Sequence, residues 1–217
     1  MINIITINLN NAEGLKKTIK SVIKQTFLDK INYIIIDGGS TDGSLDVIEN
    51  YKEYFYYWVS EKDGGIFNAM NKGIDAAPNE GYCLFMNSGD YLHDNDIIRN
   101  IYKELDGTSI VYGNEYFLEK ERKRLSTYPD KLDEAFFRRT ALPHQSTFIS
   151  AKLMKENKYC EDCGLLGDWK FLRESIIDKN VSYKHIPLTI SVYGLDGIST
   201  INRKVFEREK LEYYRNK

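Results

Sequence analysis

Three carboxylates stand where apolar runs give way to small polar residues or where a helical pattern begins. Asp37 follows Tyr33-Ile34-Ile35-Ile36, Asp90 follows Tyr82-Cys83-Leu84-Phe85-Met86 through Asn87-Ser88-Gly89, and Asp168 follows Gly167 at the head of an apolar-periodic segment. A continuous apolar run of this kind suits a strand covered on both faces. In open α/β sheets the ligand lies beyond the carboxyl ends of such strands. Asn87 and Asp90 are therefore expected at the mouth of a site. One carboxylate with open positions suits a hard divalent ion that keeps waters and takes its remaining ligands from substrate phosphates. An Asn/Ser/Gly/Asp turn also forms without any ligand. Asp168 suits two roles, a helix cap or a general base.

The elements that would position these groups alternate. Ile2 to Leu9 reads as a strand. Asn10, with Glu13 three residues on, is expected to cap a helix running to about Gln25. A strand ending at Asp37, a turn over Gly38-Gly39-Ser40-Thr41-Asp42-Gly43 and a short helix from Ser44 to Tyr51 follow. Phe55 to Val59 reads as a third strand, Ser60 to Gly65 as a loop, and Ile66 to Ala76 as a helix leading into the strand before Asp90. This order predicts a mostly parallel sheet flanked by helices. The later half is less regular: a helix over Asp94 to Leu105, a strand over Ser109 to Tyr112, and a hairpin or loop from Glu119 to Arg139. Then come a strand at Pro143 to Ile149, a helix from Gly167 to Lys179, extended chain to Val192, a loop from Gly194 to Thr200, and a charged helix from Arg203 to Arg215.

Composition bounds the function. A chain of 217 residues with a formal net charge of −2 is sized for one domain and is not an overall nucleic-acid binder. No basic leader and no apolar run of transmembrane length stand out, so the chain is expected to be cytoplasmic. Cys83 reads as a buried apolar residue. Cys160 and Cys163 form a lone C-x-x-C without the further ligands that zinc requires, and are expected to be reduced thiols on a loop. Neither a dinucleotide glycine motif nor a P-loop is present.

The joint pattern resembles the family 2 glycosyltransferases of the GT-A type, which move a sugar from a nucleotide donor with inversion. The resemblance rests on Ile4-Ile5-Thr6-Ile7 with Asn10-Asn11, on Ile36-Asp37-Gly38-Gly39-Ser40-Thr41-Asp42-Gly43, and on Ser60 to Gly73. It continues through Met86-Asn87-Ser88-Gly89-Asp90, Leu142-Pro143-His144-Gln145, Gly167-Asp168 and Gly197-Ile198-Ser199-Thr200. It is similar above all to the exopolysaccharide and colanic-acid type of surface-glycan enzyme. It implies one GT-A α/β/α sandwich: a nucleotide-sugar half over 1–93, an acceptor and base half over 94–200, and a terminal helix over 201–217.

Roles follow from the resemblance. Thr6 and Asp37 match positions that hold base and ribose. Asn8, Asp63, Asn71, Asn87 and Ser88 match the nucleotide-sugar side, and Asp90 the site of Mg²⁺ or Mn²⁺. Asp168 matches the base, with His144, Gln145 and Trp169 on the acceptor side and Gly167 leaving room there. The family's metal motif usually has an acid where this chain has Gly89. The expected donor is a nucleotide-sugar, UDP-linked before GDP- or dTDP-linked. The expected acceptor is a glycan or lipid-linked saccharide, and the basic terminal segment is expected to touch the inner membrane face. The alternatives are a sugar nucleotidyltransferase and a non-catalytic glycan- or nucleotide-binding module on the same fold.

Overall fold

Burial along the first strand, β1 (Ile2–Asn8), accounts for the layering. All seven residues are buried. Ile5 and Ile7 enter one apolar cluster, while Ile2 and Ile4 enter another on the opposite face. A strand covered on both sides needs a helix on each. The computed structural model, which describes residues 1–119, 122–194 and 202–217, supplies them. Helix α1 (Ala12–Ile23) packs Leu15, Ile19 and Val22 on one face. Helix α3 (Ile66–Ala76) packs Phe67, Met70 and Ile74 on the other.

Strands β2 (Ile31–Asp37), β3 (Tyr57–Ser60) and β4 (Tyr82–Phe85) join β1 in parallel, in the order β3-β2-β1-β4. Helix α2 (Ser44–Tyr51) links β2 to β3. The expected parallel half is thus present. Beyond β4 the sheet becomes mixed. The remaining strands are β5 (Tyr91–Leu92), β6 (Ile110–Glu119), β7 (Arg122–Ser126), β8 (Thr147–Ser150) and β9 (Tyr183–Gly194). β8 lies antiparallel between β4 and β6, β9 runs parallel to β6, and β5 closes the edge. β7 pairs antiparallel with β6, so a hairpin opens the segment from Glu119 to Arg139, but the hairpin's first strand runs up to the start of that segment and the segment's end is helical.

Further helices are α4 (Ile97–Tyr102), α5 (Glu134–Arg139), α6 (Ala151–Glu156), α7 (Gly167–Arg173) and α8 (Arg203–Arg215). α5 and α6 lie where no helix was expected; each is only six residues long, too short to show a period. α7 ends early because residues 174–178 widen into a π turn. The Gly197-Ile198-Ser199-Thr200 segment lies outside the described residues.

Three local expectations are corrected. Asn11, not Asn10, caps α1, its Oδ1 accepting from Gly14 N at 3.0 Å. Asn10 sits at φ 50° and its amide oxygen is taken by Thr41 N at 2.8 Å. Cys160 and Cys163 are joined as a disulfide, since the chain brings their Cα atoms to 5.5 Å, within bonding range. Gly167 does not make room for an acceptor. A Cβ there would meet the Phe67 ring at 2.7 Å, so the glycine lets α7 approach α3. Cys83 is buried as expected.

Candidate active site

The register of the parallel half gathers the polar residues at one sheet edge. Asn8 is paired with Asp37, and Asp37 with Ser60. Asp37 is fully buried. Its carboxylate accepts from Asn8 Nδ2 (2.7 Å), Ser40 Oγ (2.6 Å), Ser60 Oγ (2.6 Å), Ser40 N (2.9 Å) and Gly39 N (3.2 Å). Burial by itself would raise its pKa. The hydrogen bonds from Ser40, Ser60 and Asn8 outweigh that and hold it below the ordinary aspartate value. The carboxylate therefore orders the turn that follows β2. Ser40 and Ser60, which the sequence did not single out, are its principal partners. Asn8 Oδ1 is buried without a partner among the described atoms.

Thr6 is a correction. It lies two residues inside β1, fully buried, with its hydroxyl 3.1 Å from Tyr33 Oη. The pleat sends it into the α1-side core rather than past the strand end. Asp63 does reach the edge. Its Oδ1 accepts from Gly65 N at 2.9 Å, and its Oδ2 lies where a Cβ on Gly38 would fall, 2.6 Å away. Asn71 is turned inward. Its amide bonds Tyr159 N and O (3.0 and 2.9 Å) and Glu161 Oε1 (2.8 Å), tying α3 to the chain before α7.

After β4 the chain continues alongside β1: Met86 N donates to Ile5 O and Ser88 N to Ile7 O. The Ser88 hydroxyl is spent on Ile7 O at 3.1 Å. Thr18 of α1 secures the turn. Its Oγ1 lies 2.6 Å from Asp90 O and accepts from Gly89 N at 3.0 Å. Gly89 has φ +107°, which its lack of a Cβ permits. Asn87 Nδ2 lies 3.1 Å from His144 Nε2, while Asn87 Oδ1 is buried with no partner among the described atoms.

On the far side, His144 Nδ1 lies 3.1 Å from Asp168 Oδ2. Asp168 is the second residue of α7, after the cap position at Leu166, and its Oδ1 accepts from Trp169 N at 2.7 Å. Its side chain stays 22% exposed, so a ligand can reach it. The neighbouring Trp169 points the other way, fully buried, and donates its indole N–H to Phe137 O at 3.0 Å. Trp169 therefore cannot wall an acceptor, which corrects that expectation. Gln145 is also buried, its Nε2 donating to Glu115 Oε2 at 2.7 Å.

Glu115 went unnoticed in the sequence because it lies beyond the strand expected over Ser109 to Tyr112, which runs on to Glu119. It is 3% exposed and also accepts from Tyr128 Oη at 2.7 Å. Burial pushes its pKa up to about 7, with Asp90 adding to the rise and Tyr128, His144 and Gln145 opposing it. Burial lowers the His144 pKa. The hydrogen bond and charge of Asp168, then the charges of Asp90 and Glu115, more than reverse that, so the imidazole lies above its ordinary value. Asp37, Asp63, Asn87, Asp90, His144 and Asp168 thus belong to the strand-end region, whereas Thr6, Asn71 and Trp169 serve the interior.

The donor set fits a divalent cation of few protein ligands. Among the described residues no three His, Cys, Asp or Glu side chains converge as a metal cage. Asp90 and the unpartnered Asn87 oxygen are both hard ligands, which suits Mg²⁺ or Mn²⁺ completed by water and phosphate.

Residues 3–178 match the model of "Glycosyl transferase family 2". The chain belongs to glycosyl transferase family 2. It is thereby an enzyme of the glycosyltransferase class, which sets aside both the sugar nucleotidyltransferase and the non-catalytic module. An uncharacterized glycosyltransferase of Mycobacterium tuberculosis is 31% identical over 201 residues, covering 89% of this chain and 76% of the relative. A PGL/p-HBAD biosynthesis glycosyltransferase of Mycobacterium bovis is 30% identical, covering 91% of this chain and 78% of the relative. In fold, the chain is similar to S. aureus TarS solved with UDP (TM-score 0.73, 16% identity), covering 89% of this chain but only 60% of that one. The mannosyltransferase PcManGT of Pyrobaculum calidifontis, solved with GDP-Man and Mn²⁺, is likewise similar (TM-score 0.73, 14% identity), covering 100% of this chain and 64% of that one. The α/β fold with its mixed, mostly parallel sheet is that of these GT-A enzymes.

Proposed function

We propose that the chain transfers a sugar, with inversion, from a nucleotide-sugar to a hydroxyl of a glycan or lipid-linked saccharide in surface-glycan assembly. The observation that carries this reading is the continuous link Asn87–His144–Asp168, which sets an accessible carboxylate across from the turn that holds Asp90. A one-step displacement needs a base on the acceptor side and charge compensation on the leaving-group side.

Asp168 takes the proton of the acceptor hydroxyl as its oxygen attacks the anomeric carbon. The hydroxyl becomes acidic only as that bond forms, so a carboxylate is strong enough a base. Asp90 and Asn87 would hold Mg²⁺ or Mn²⁺, which when bound supplies positive charge to the departing diphosphate. Asp37 acts by ordering Asn8 and the 38–40 turn. Asn8 Oδ1 is then the oxygen left for an N–H of the base. Asp63 lines the donor side.

A UDP-linked donor is supported by the complex of the fold relative TarS with UDP-GlcNAc. PcManGT was solved with GDP-Man, so a GDP-linked donor is the competitor to test. A lipid-type acceptor is supported by a cholesterol galactosyltransferase of Borreliella burgdorferi, 33% identical over 134 residues, though this chain covers only 37% of it.

The test is nucleoside-diphosphate release from a panel of UDP-, GDP- and dTDP-sugars with Mn²⁺, with the anomeric configuration of the product read by NMR. Asp168→Asn should lower kcat by roughly 10²–10⁴-fold with donor affinity unchanged. Normal turnover by that variant, or retention of configuration, would sink this reading.

A further inference from the structure

We infer that His144 is a positioning residue that sets two groups at once, the Asn87 amide and the Asp168 carboxylate. The inference rests on the proposed roles of Asn87 and Asp168 and goes beyond them. A neutral imidazole has one N–H donor and one acceptor nitrogen. Asp168 Oδ2, 3.1 Å from Nδ1, can only accept as a carboxylate, so the proton belongs on Nδ1. The group facing Nε2 at 3.1 Å is the Asn87 NH₂, which can only donate, so Nε2 accepts and the ring carries its proton on Nδ1. The amide oxygen is thereby turned away from His144, where it is buried and has no partner among the described atoms. One tautomer therefore frees a hard oxygen ligand three residues before Asp90 and aims the base.

The imidazole can act this way because its own backbone is fixed. Residues His144–Ser146 form a tight turn just before β8. Gln145 is tied to buried Glu115 at 2.7 Å, and Ser146 Oγ lies 2.7 Å from Ser191 Oγ on β9. Thr147 Oγ1 bonds back to Pro143 O at 2.7 Å. Apart from its contact with His144, the Asp168 carboxylate accepts from the N–H of its own neighbour Trp169, which moves with it. Without the imidazole, nothing in these contacts relates the carboxylate to the Asn87–Asp90 turn.

Two conservative variants separate the two functions. His144→Asn keeps an N–H near the Nδ1 position and loses the group that reaches Asn87. His144→Gln keeps a polar group near the Nε2 position and loses the bond to Asp168. Mn²⁺ binding is read by electron paramagnetic resonance with UDP present, and kcat is read at saturating donor and metal, in buffer alkaline enough to keep the imidazole neutral. Outer contacts of this kind typically change affinity or activity by about 10–100-fold. His144→Asn should weaken Mn²⁺ binding by about that factor, and the larger loss of kcat should fall on His144→Gln. Wild-type behaviour of both variants, or equal losses of both quantities in each, overturns the inference. Should either variant fail to fold, ¹⁵N NMR of the wild-type histidines decides: a proton on Nδ1 of neutral His144 supports the assignment, and one on Nε2 refutes it. A slow Asp168→Asn variant beside a full-rate His144→Gln variant would remove His144 alone. A full-rate Asp168→Asn variant would instead remove the base.

Discussion

A carboxylate buried as deeply as Glu115 costs the fold stability once it ionises. Its pKa rises from 4.5 to about 7 on folding, so the native state holds more protons than the unfolded one between those values. Stability then falls as pH climbs through that window, by on the order of 3 kcal/mol at most. Glu115→Gln removes the titration. The Tyr128 hydroxyl can turn to accept from the new NH₂ while the amide oxygen still receives Gln145. The variant's Tm relative to wild type should therefore climb from pH 5 to pH 8; a pH-independent difference would refute this. Asp37 has the opposite sign. Its lowered pKa contributes stability above the unfolded carboxylate range, and that contribution is lost as pH falls toward the folded value. Asp37→Asn should flatten the acid limb of the stability profile. Thr6→Val should leave UDP affinity unchanged by calorimetry, because the hydroxyl it deletes faces Tyr33.

Among the elements, α1 and α7 hold the two sides of the site through small features. Thr18 on α1 reaches the 87–90 turn with one hydroxyl. Thr18→Val keeps the shape but strips a half-buried carbonyl and N–H of their partner, a loss of about 1–3 kcal/mol. It should lower Tm and weaken Mn²⁺ binding together, and a lower Tm with unaltered Mn²⁺ binding would show that the turn does not depend on Thr18. Gly167 at the head of α7 packs on Phe67. Gly167→Ala must displace the ring or the helix, at a cost of about 1–3 kcal/mol, and with the helix it displaces Asp168. Urea titration and kcat should both register the change, and an unchanged midpoint would show that α3 gives way freely.

For the molecule as a whole, α8 is a clasp behind Asp168. Tyr213 and Tyr214 stack edge-on against Trp169, and Tyr213 shares Arg173 with Glu134 and Asp178. Leu165 N donates to Glu209 at 2.8 Å, fixing the chain just before Asp168. Phe206, Tyr213 and Tyr214 thus turn inward, while Lys204, Arg208, Leu211 and Arg215 are exposed. No described helix is long and apolar enough to cross a membrane. The outward basic face is where we propose contact with an anionic lipid surface. Co-sedimentation with phosphatidylglycerol vesicles should exceed that with neutral ones and fall in a Lys204→Glu/Arg208→Glu variant. Equal binding to both kinds of vesicle would reject the contact.

The alternation of apolar runs and polar turns was legible in the chain from the start, because a strand buried on both faces is mostly apolar. That pattern predicted the parallel half of the sheet, Asp37 at a strand end, Asp90 in the turn beyond another and Asp168 at a helix start; the order β3-β2-β1-β4 came only with the fold. Period says which positions are apolar; it does not say which partner a polar side chain will find. Asn71 and Trp169 read as site residues and turned inward to bond chain 88 and 32 residues away. Cys160 and Cys163 closed a bond because the chain between them bends. Glu115 follows Gly113 and Asn114, where the apolar run of β6 breaks, and the Asn87–His144–Asp168 link spans sequence separations of 57 and 24 residues. Only the packed sheet, with β8 inserted antiparallel beside β4, brings His144 between the other two. Distances of a few ångströms between residues so far apart in sequence are set by tertiary packing and leave no periodic trace in the chain.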